Sequence, residues 1–261
     1  MAGLRLSQRQ EDILTLIAAG GAQQIDALAR RYGLTTQSIR RDINVLCARG
    51  LARRLHGGVD LPVIPQNSPV NARAAQQSGA KRRIGERIAS EIPNGSTVFL
   101  GIGTTVQATA EALREHAGLV VITNNLEVAL TLGQSADIEL HVTGGVWRTD
   151  YRDVVGLDAI RYFEKFHATH AVVGAAGLSP VTGALEFSHQ DAQITNAIVE
   201  NSRMRYLAAD ATKWDRAAAV VRTAPFASFS AFVTDRLPEA QAGREALTVS
   251  GLQVIVCGEA G

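Results

Sequence analysis

The sequence has few of the residues and patterns that mark secreted or membrane proteins. Its two cysteines, Cys47 and Cys257, stand far apart and have no CxxC spacing, which argues against a disulfide framework. No apolar run approaches the roughly 20 residues of a membrane span, and the N-terminus has no signal-peptide core. These absences favour a cytoplasmic protein with no membrane among its partners.

Motifs for catalysis and metal binding are also missing. The sequence has neither an HExxH nor a GxSxG pattern, and neither cysteine lies in a setting that marks a nucleophile. His167 and His170 stand three residues apart at a strand-like run, where their side chains would not converge on a metal ion. We therefore expect no metal site, no catalytic residue and no cofactor, and a protein that is not an enzyme.

The charge is balanced overall but unevenly distributed. The first 60 residues hold nine arginines, no lysine and five acids, a net charge of +4, whereas the remaining residues carry a net −3. A basic head on a mildly acidic body favours a nucleic-acid-binding module joined to a second domain. The length of 261 residues, 46% of them hydrophobic, allows more than one domain.

Residues 6–58 have the pattern of three short helices followed by a β-hairpin. The first helix pattern covers Gln8–Ala18, and the second ends at Gly33, a residue type that commonly terminates helices. A third helix follows. The alternating segment Leu51–Val59, which contains a glycine pair, predicts a hairpin that would form a wing.

The third helix, which Thr35 or Thr36 can cap, begins with a turn of small polar side chains. Ile39, Ile43 and Leu46 recur at helical spacing and must face the core, so the polar side chains between them point outward or sideways. A helix built in this way can place its N-terminal end in the major groove of DNA.

Two adjacent arginines on a helix usually form only a solvated face, and that interpretation stays open for Arg40 and Arg41. The polar first turn and the wing arginines favour DNA binding instead. Glutamine can pair with adenine edges and arginine with guanine or phosphate, and the wing can reach the DNA backbone or minor groove. The predicted DNA-binding residues are Thr35, Thr36, Gln37, Ser38, Arg40, Arg41, Arg53, Arg54, His56 and Gly57.

A proline-rich segment, residues 61–80, is predicted to link the DNA-binding domain (residues 1–60) to an α/β domain (residues 81–261). A helix is expected to start near Lys81. Apolar strands and helices then alternate, which predicts a largely parallel sheet with helices on both faces. The predicted strands are Thr97–Leu100, Leu119–Thr123, Ile138–Thr143, Ala171–Gly174, Tyr206–Ala209, Ala231–Thr234 and Leu252–Cys257.

Small, amide, hydroxyl and charged residues follow these strands at their carboxyl ends, where such sheets bind ligands. Gly101–Thr105 leads into a helix, and its backbone amides, hydroxyls and helix dipole can cradle a phosphate. Each such segment alone is more often a tight strand–helix turn, but their recurrence favours a pocket for a phosphorylated ligand. Glu186 is the one acid expected to face it, as a base or a hydroxyl acceptor; otherwise it is a surface carboxylate. The predicted ligand-binding residues are Gly103, Thr104, Thr105, Thr123, Asn124, Asn125, Gly144, Gly145, Arg148, Gly177, Glu186, Asp210 and Lys213.

Both halves of the chain resemble the DeoR family of bacterial transcriptional regulators. Residues 38–44 and 53–58 resemble its helix-turn-helix and wing signature, and the glycine, threonine and asparagine motifs of the second half resemble its sugar-phosphate sensor domain. The resemblance covers nearly the whole chain from about Leu6. It implies a winged helix-turn-helix head, a sensor body with the fold of sugar-phosphate isomerases, and a homodimer or homotetramer on operator DNA. It also implies that a phosphorylated metabolite relieves repression.

Several stretches, among them Ile92–Thr97 and Leu185–Phe187, are similar to one branch of the family, the repressors of glycerol-3-phosphate genes. This similarity implies glycerol-3-phosphate as the effector, with another sugar phosphate as the next candidate. Gly101 departs from the family pattern, in which many members carry an acid there, and so leaves the effector open. The alternative function is a sugar-phosphate isomerase-like enzyme with a DNA-binding appendage, and activation instead of repression also stays open.

Overall fold

The computed structural model of this chain describes residues 6–20, 23–48, 51–55, 57–60, 76–214 and 219–258. The chain forms two compact units, Met1–Asn67 and Ser68–Gly261. Most of the predicted linker, residues 61–75, lies outside the described residues.

The smaller unit contains helices and a small antiparallel sheet. Its helices are α1 Gln8–Gly20, α2 Ile25–Tyr32 and α3 Thr36–Ala48, and its strands are β1 Gln23–Gln24, β2 Arg53–Leu55 and β3 Gly58–Asp60. Strand β3 lies between β1 and β2. The antiparallel pairing of β2 with β3 confirms the predicted hairpin, whereas the two-residue β1 has no apolar pattern from which it could be predicted.

Apolar residues at helical spacing join these helices in one core. The deeply buried side chains of the core are Ile13, Ile17, Leu28, Ile39, Ile43 and Leu46. The predicted core face of the third helix is therefore confirmed. Helix α2 ends at Tyr32 and is capped by Gly33, whose φ of 62° is a left-handed conformation that glycine adopts without strain.

A seven-stranded parallel sheet forms the centre of the larger unit and confirms the predicted α/β fold. Its strands are β4 Thr97–Leu100, β5 Leu119–Thr123, β6 Ile138–Val142, β9 Ala168–Val173, β12 Ser202–Ala208, β14 Ala231–Thr234 and β15 Gln253–Val256. Their order across the sheet is β15-β14-β12-β9-β4-β5-β6, and each neighbouring pair is parallel.

Helices connect these strands, and short hairpins extend from their carboxyl ends. The helices are α4 Ser78–Ser90, α5 Thr104–Leu113, α6 Leu126–Leu132, α7 Leu157–Phe163, α8 His189–Glu200 and α9 Gln241–Ser250. Helix α4 thus begins slightly before the predicted Lys81. The antiparallel pieces are β7 Val146–Arg148 with β8 Asp153–Val155, and β10 Gly177–Ser179 with β11 Gly183–Glu186 and β13 Val221–Arg222.

Buried side chains pack on both faces of the large sheet. Phe99 and Phe163 meet edge to face on one side, with ring centroids 5.1 Å apart. Ile84 and Val121 belong to the cluster on the other side. Strands buried on both faces are almost continuously apolar, which is why the sequence pattern located them.

Candidate DNA-binding and ligand-binding sites

The N-terminus of helix α3 is held by a side-chain cap. The hydroxyl oxygen of Thr35 accepts a hydrogen bond from the backbone amide of Ser38 at 3.2 Å, and the two hydroxyls lie 3.1 Å apart. Thr35 therefore satisfies one of the free amides of the first turn. Two of the predicted DNA-binding hydroxyls thus also define where the helix begins.

A buried carboxylate ties helix α3 to helix α1. Asp42 is only 7% exposed and accepts hydrogen bonds from Arg9 Nε at 2.7 Å and Gln10 Nε2 at 3.1 Å. The hydrogen bond and the negative charge of Asp42 raise the pKa of Arg9. The orientation of helix α3 therefore depends on a polar clamp as well as on the apolar core.

The remaining polar side chains of helix α3 point away from the core. Gln37, Arg40 and Arg41 are exposed, and Thr36 is half-buried. The N-terminal half of the helix therefore presents an amide and two guanidinium groups to solvent, a set suited to base edges and phosphates.

The wing lies beside this helix. Arg54 is exposed and donates a hydrogen bond to the Asn44 side chain of helix α3, so the wing and the helix are joined directly. Gly57 adopts a φ of 78° in the turn between β2 and β3. The side chain of Arg53 and the whole of His56 lie outside the described residues.

In the larger unit, strand β4 turns sharply into helix α5. Gly103 caps the helix with φ 118° and ψ 152°, a conformation that is essentially restricted to glycine. The first helical hydrogen bond runs from the Gln107 amide to the Gly103 carbonyl, 3.0 Å. The amides before Gln107, including those of Thr104 and Thr105, have no partner within the helix and form its electropositive end.

This helix end opens into a pocket at the carboxyl ends of the strands. The pocket brings together five of the predicted ligand-binding residues: Gly103, Thr104, Thr105, Glu186 and Lys213. Its other lining residues are Ile102, Tyr151, Gly174, Ala175, Ala176, Phe187, Asp191 and Ala208. Asp191 joins Glu186 at the pocket, so the expectation of a single facing acid was too narrow.

Other predicted residues build the ends of the strands instead of lining this pocket. Thr123 donates its hydroxyl proton to the Leu100 carbonyl at 2.7 Å. Asn124 donates to the Val154 carbonyl at 2.9 Å. The Asn125 side chain caps helix α6 by accepting from two backbone amides. All three of these predicted residues are buried.

The other predicted glycines and Asp210 also shape the backbone near them instead of lining the pocket. Gly145 has a φ of 137°, and a Cβ there would lie 2.5 Å from a backbone oxygen of β8, whereas Gly144 borders open space. Gly177 lies in β10, paired with β11. Asp210 is buried and caps the short 3₁₀ turn that carries Lys213.

The predicted ligand-binding residue Arg148 is not a lining residue of the pocket and lies at the centre of a buried ion-pair network. Its guanidinium donates two hydrogen bonds to Asp153, at 2.9 and 2.6 Å, and one to Asp191 at 2.6 Å. Burial alone would lower the pKa of Arg148, but the hydrogen bonds and charges of Asp153 and Asp191 raise it above its ordinary value. The guanidinium also lies 4.4 Å from the ring centre of Tyr151. Through these contacts Arg148 positions two residues of the pocket wall.

Sequence reasoning missed Tyr151, Asp191 and Phe187 as pocket residues. The sequence does carry a helix-start signal at Ser188. In the structure, the Ser188 hydroxyl caps helix α8 by accepting a hydrogen bond from the Asp191 amide at 3.2 Å. A serine followed three residues later by an acid is the local pattern that could have placed Asp191 at a helix start near the pocket.

Two family profiles match the chain, one in each unit. The DeoR-like helix-turn-helix domain matches residues 9–63, and the DeoR C-terminal sensor domain matches residues 76–236. The chain belongs to the DeoR family. The glycerol-3-phosphate regulon repressor of Escherichia coli K12 is 34% identical over 254 residues, which cover 97% of this chain and all of that protein.

Other DeoR-type relatives are similar over most of their length. The HTH-type transcriptional repressor CsqR of Escherichia coli K12 is 35% identical and covers 95% of this chain and 94% of that protein. The glycerol-3-phosphate regulon repressor of Haemophilus influenzae is 31% identical and covers 90% of this chain and 92% of that protein.

Solved structures resemble the fold at lower identity. Ribose 5-phosphate isomerase from Plasmodium falciparum has a TM-score of 0.39 and 12% identity over 53% of each chain. The translation initiation factor eIF-2B of Pyrococcus horikoshii OT3 has a TM-score of 0.44 and 18% identity over 88% of this chain and 90% of that chain.

The described part of the chain contains no group of three metal-binding side chains. Within the same residues, no helix is long and apolar enough to cross a membrane. Cys47 and Cys257 are both free thiols.

Proposed function

We propose that this DeoR-family protein is a cytoplasmic repressor that binds operator DNA through residues 1–60 and a phosphorylated metabolite through residues 81–261. The relatives named above are repressors, two of them of the glycerol-3-phosphate regulon. The observation that carries the proposal is the pocket at the start of helix α5, which combines free helix amides and a lysine with two carboxylates.

The polarity of this pocket suits a sugar phosphate. A phosphate group would meet the first-turn amides and hydroxyls of Thr104 and Thr105, with Lys213 supplying countercharge. Glu186 and Asp191, which also line the pocket, would accept hydrogen bonds from ligand hydroxyls. Glycerol-3-phosphate carries one phosphate and two hydroxyls, which matches both kinds of pocket group, and we propose it as the effector before other sugar phosphates.

Release from DNA requires that the effector favour one state of the protein. A ligand that bound the DNA-competent and DNA-incompetent states equally would leave repression unchanged. Glycerol-3-phosphate must therefore bind the DNA-incompetent state more tightly, and operator DNA must weaken glycerol-3-phosphate binding by the same factor.

The substitution Thr104→Val tests the pocket. Loss of one hydrogen bond to a charged phosphate, worth about 1.5–3 kcal/mol, should weaken effector binding roughly ten- to hundredfold in a calorimetric titration and leave operator binding intact. Thr248→Val makes the same chemical change at an exposed position of helix α9 and should change neither. Release of the Thr104→Val protein from DNA at the wild-type effector concentration would show that the phosphate binds elsewhere.

Two carboxylates in the pocket also suit general acid–base chemistry, which favours a second candidate, a sugar-phosphate isomerase activity. Turnover assays on triose, pentose and hexose phosphates distinguish the two functions. We expect no turnover above that of a Glu186→Gln control, and turnover that this substitution abolishes would favour the enzyme.

A further inference from the structure

The open edge of the large sheet carries an apolar groove that the proposed function does not use. Strand β6 is the last strand in the sheet order, and no described strand pairs with its outer edge. The groove between α6, β6 and β7 exposes Leu130 by 67%, Trp147 by 46% and Val142 by 40%. An unprotected strand edge beside exposed apolar side chains favours pairing with another chain.

The backbone of β6 is oriented for such pairing. The Asp137 carbonyl and the Thr143 amide, which flank the strand, both form hydrogen bonds toward the β5 side, at 2.9 and 3.0 Å. Because backbone groups alternate along a strand, the odd-numbered residues face β5. Leu140, at the middle of β6, therefore directs its amide and carbonyl to the open edge.

The side chains of β6 are complementary to those of the same strand turned through a two-fold axis. Residues 138–142 read apolar, acidic, apolar, basic and apolar. Antiparallel pairing centred on Leu140 places Glu139 of each copy opposite His141 of the other, and Ile138 opposite Val142. Glu139 and His141 are already within 2.7 Å of each other in one chain, and Glu139 remains 67% exposed.

Charge also selects the register. A shift of two residues one way would place Glu139 opposite Glu139, and like charges directly opposite are destabilising. The opposite shift would place His141 opposite His141 and remove the Glu139–His141 pairs. A shift of one residue would exchange the two faces of the strand. Centring on Leu140 is the register that satisfies the backbone, the charges and the apolar face together.

We propose that strand β6 pairs antiparallel with β6 of a second copy of this chain, centred on Leu140, and joins two sheets into one. The two copies would exchange two backbone hydrogen bonds at Leu140. The second copy's strand would lie next to the groove and cover part of the exposed side chains of Val142 and Trp147. This pairing depends neither on the proposed ligand nor on operator DNA.

Cysteine cross-linking of full-length chains tests the register directly. Glu139 and His141 of opposite copies would form a non-hydrogen-bonded pair with Cα atoms about 4.5 Å apart, within the range of a disulfide. Chains carrying Glu139→Cys and His141→Cys, with different tags and produced together, should form a mixed disulfide on mild oxidation. Either variant alone should cross-link no more than the wild type, which controls for Cys47 and Cys257. A mixture that fails to form the mixed disulfide, or single variants that cross-link equally well, would overturn the proposal.

A charge exchange tests the same contact without oxidation. Glu139→Lys and His141→Glu should each weaken the dimer roughly tenfold in sedimentation equilibrium, since the first removes both Glu139–His141 pairs and the second places a glutamate opposite Glu139 at both pairs. Mixing the two variants places the introduced lysine opposite the introduced glutamate and restores one Glu139–His141 pair, and should return the affinity to near the wild-type value. Mixed chains that associate no better than the separate variants would contradict the pairing.

Discussion

At the scale of single residues, Arg148 shapes the pocket without lining it. Its guanidinium holds the buried carboxylates of Asp153 and Asp191 and lies over the ring of Tyr151. Asp191 and Tyr151 both face the pocket. Because removing the cation would leave two buried carboxylates uncompensated, this network couples the stability of the unit to the shape of its site.

We expect Arg148→Leu to lower the free energy of unfolding by about 3–5 kcal/mol, because it leaves Asp153 and Asp191 buried without their cation. Urea denaturation measures the loss. Arg87→Leu removes an arginine whose ion pair with Glu91 is well exposed, and that variant should lose less than about 1 kcal/mol. Similar losses in the two variants would mean that the Arg148 network contributes no more than a surface pair.

The exposed arginines of helix α3 carry a prediction about DNA. Arg40→Ala should weaken operator binding by about 1–3 kcal/mol if the side chain contacts a base, measured by gel shift at one fixed salt concentration. Arg82→Ala removes the same charge from a side chain that is 75% exposed on helix α4 and should have little effect. Equal effects of the two substitutions would indicate that only net charge matters.

At the scale of elements, the turn from β4 into α5 shapes the proposed phosphate site. A glycine with a φ of 118° lets the strand end and the helix begin within a few residues, and the free amides of the first turn then face the pocket. The sequence Gly-Ile-Gly-Thr-Thr after an apolar run was sufficient to predict this arrangement, because strand, glycine and hydroxyl residues lie next to each other in the chain.

Gly103→Ala should therefore destabilise the larger unit by about 1–3 kcal/mol, since a side chain is strained in this conformation. A Cβ at Gly103 would meet no neighbouring atom within 4 Å, so the backbone alone would cause the loss. Gly144→Ala, also in open space but without a positive φ, should change stability by less than about 0.5 kcal/mol. Chemical denaturation of both variants tests the difference, and an unchanged Gly103→Ala protein would exclude backbone strain at this turn.

Strands that are buried on both faces were predicted most accurately from the sequence, whereas contacts between residues far apart in the sequence were not predicted. Three strands, Thr97–Leu100, Leu119–Thr123 and Ala231–Thr234, have the predicted bounds because they are buried on both faces. Strands β9 and β12 begin earlier than predicted, since their first residues include polar side chains such as His170 and Arg203. The short hairpins mix polar and turn residues and have no clear period.

The same limit applies to the ligand site. Asp191 meets Arg148 across 43 residues of sequence, a contact that only the folded topology creates. Thr123, Asn124 and Asn125 have the residue types of a polar pocket, but their hydrogen bonds lie within the strand ends. Residue type therefore predicted polar side chains at this sheet edge, whereas the fold determined which of them face the pocket.

At the scale of the whole molecule, each of the two units has its own buried core. Ile13, Leu28 and Ile39 belong to the core of the smaller unit, and the cores of the larger unit lie on the two faces of its sheet. Among the described residues, these clusters share no member. Each unit therefore has the apolar packing expected of a separately cooperative domain.

Calorimetry of the full chain should accordingly show that a ligand affects only the larger unit and that a core substitution in the smaller unit affects only the smaller unit. Glycerol-3-phosphate at a hundredfold excess over its Kd should stabilise the larger unit by about 2.7 kcal/mol and leave the smaller unit unchanged. Leu28→Ala, at a fully buried position, should destabilise the smaller unit by about 2–5 kcal/mol and leave the ligand response intact. A ligand response that this substitution abolishes would contradict independent cores.

Some polar residues of helix α3 hold the helix in place and others face solvent, which bears on how operator preference could change. Thr35, Ser38 and Asp42 are occupied by the cap and by the clamp to helix α1, whereas Gln37, Arg40 and Arg41 make contact mainly with solvent. Substitutions at the solvent-facing positions would therefore be nearly neutral for folding. If these three residues contact DNA as proposed, a lineage or a laboratory selection could exchange them to reach a new operator while the cap and the clamp stay unchanged.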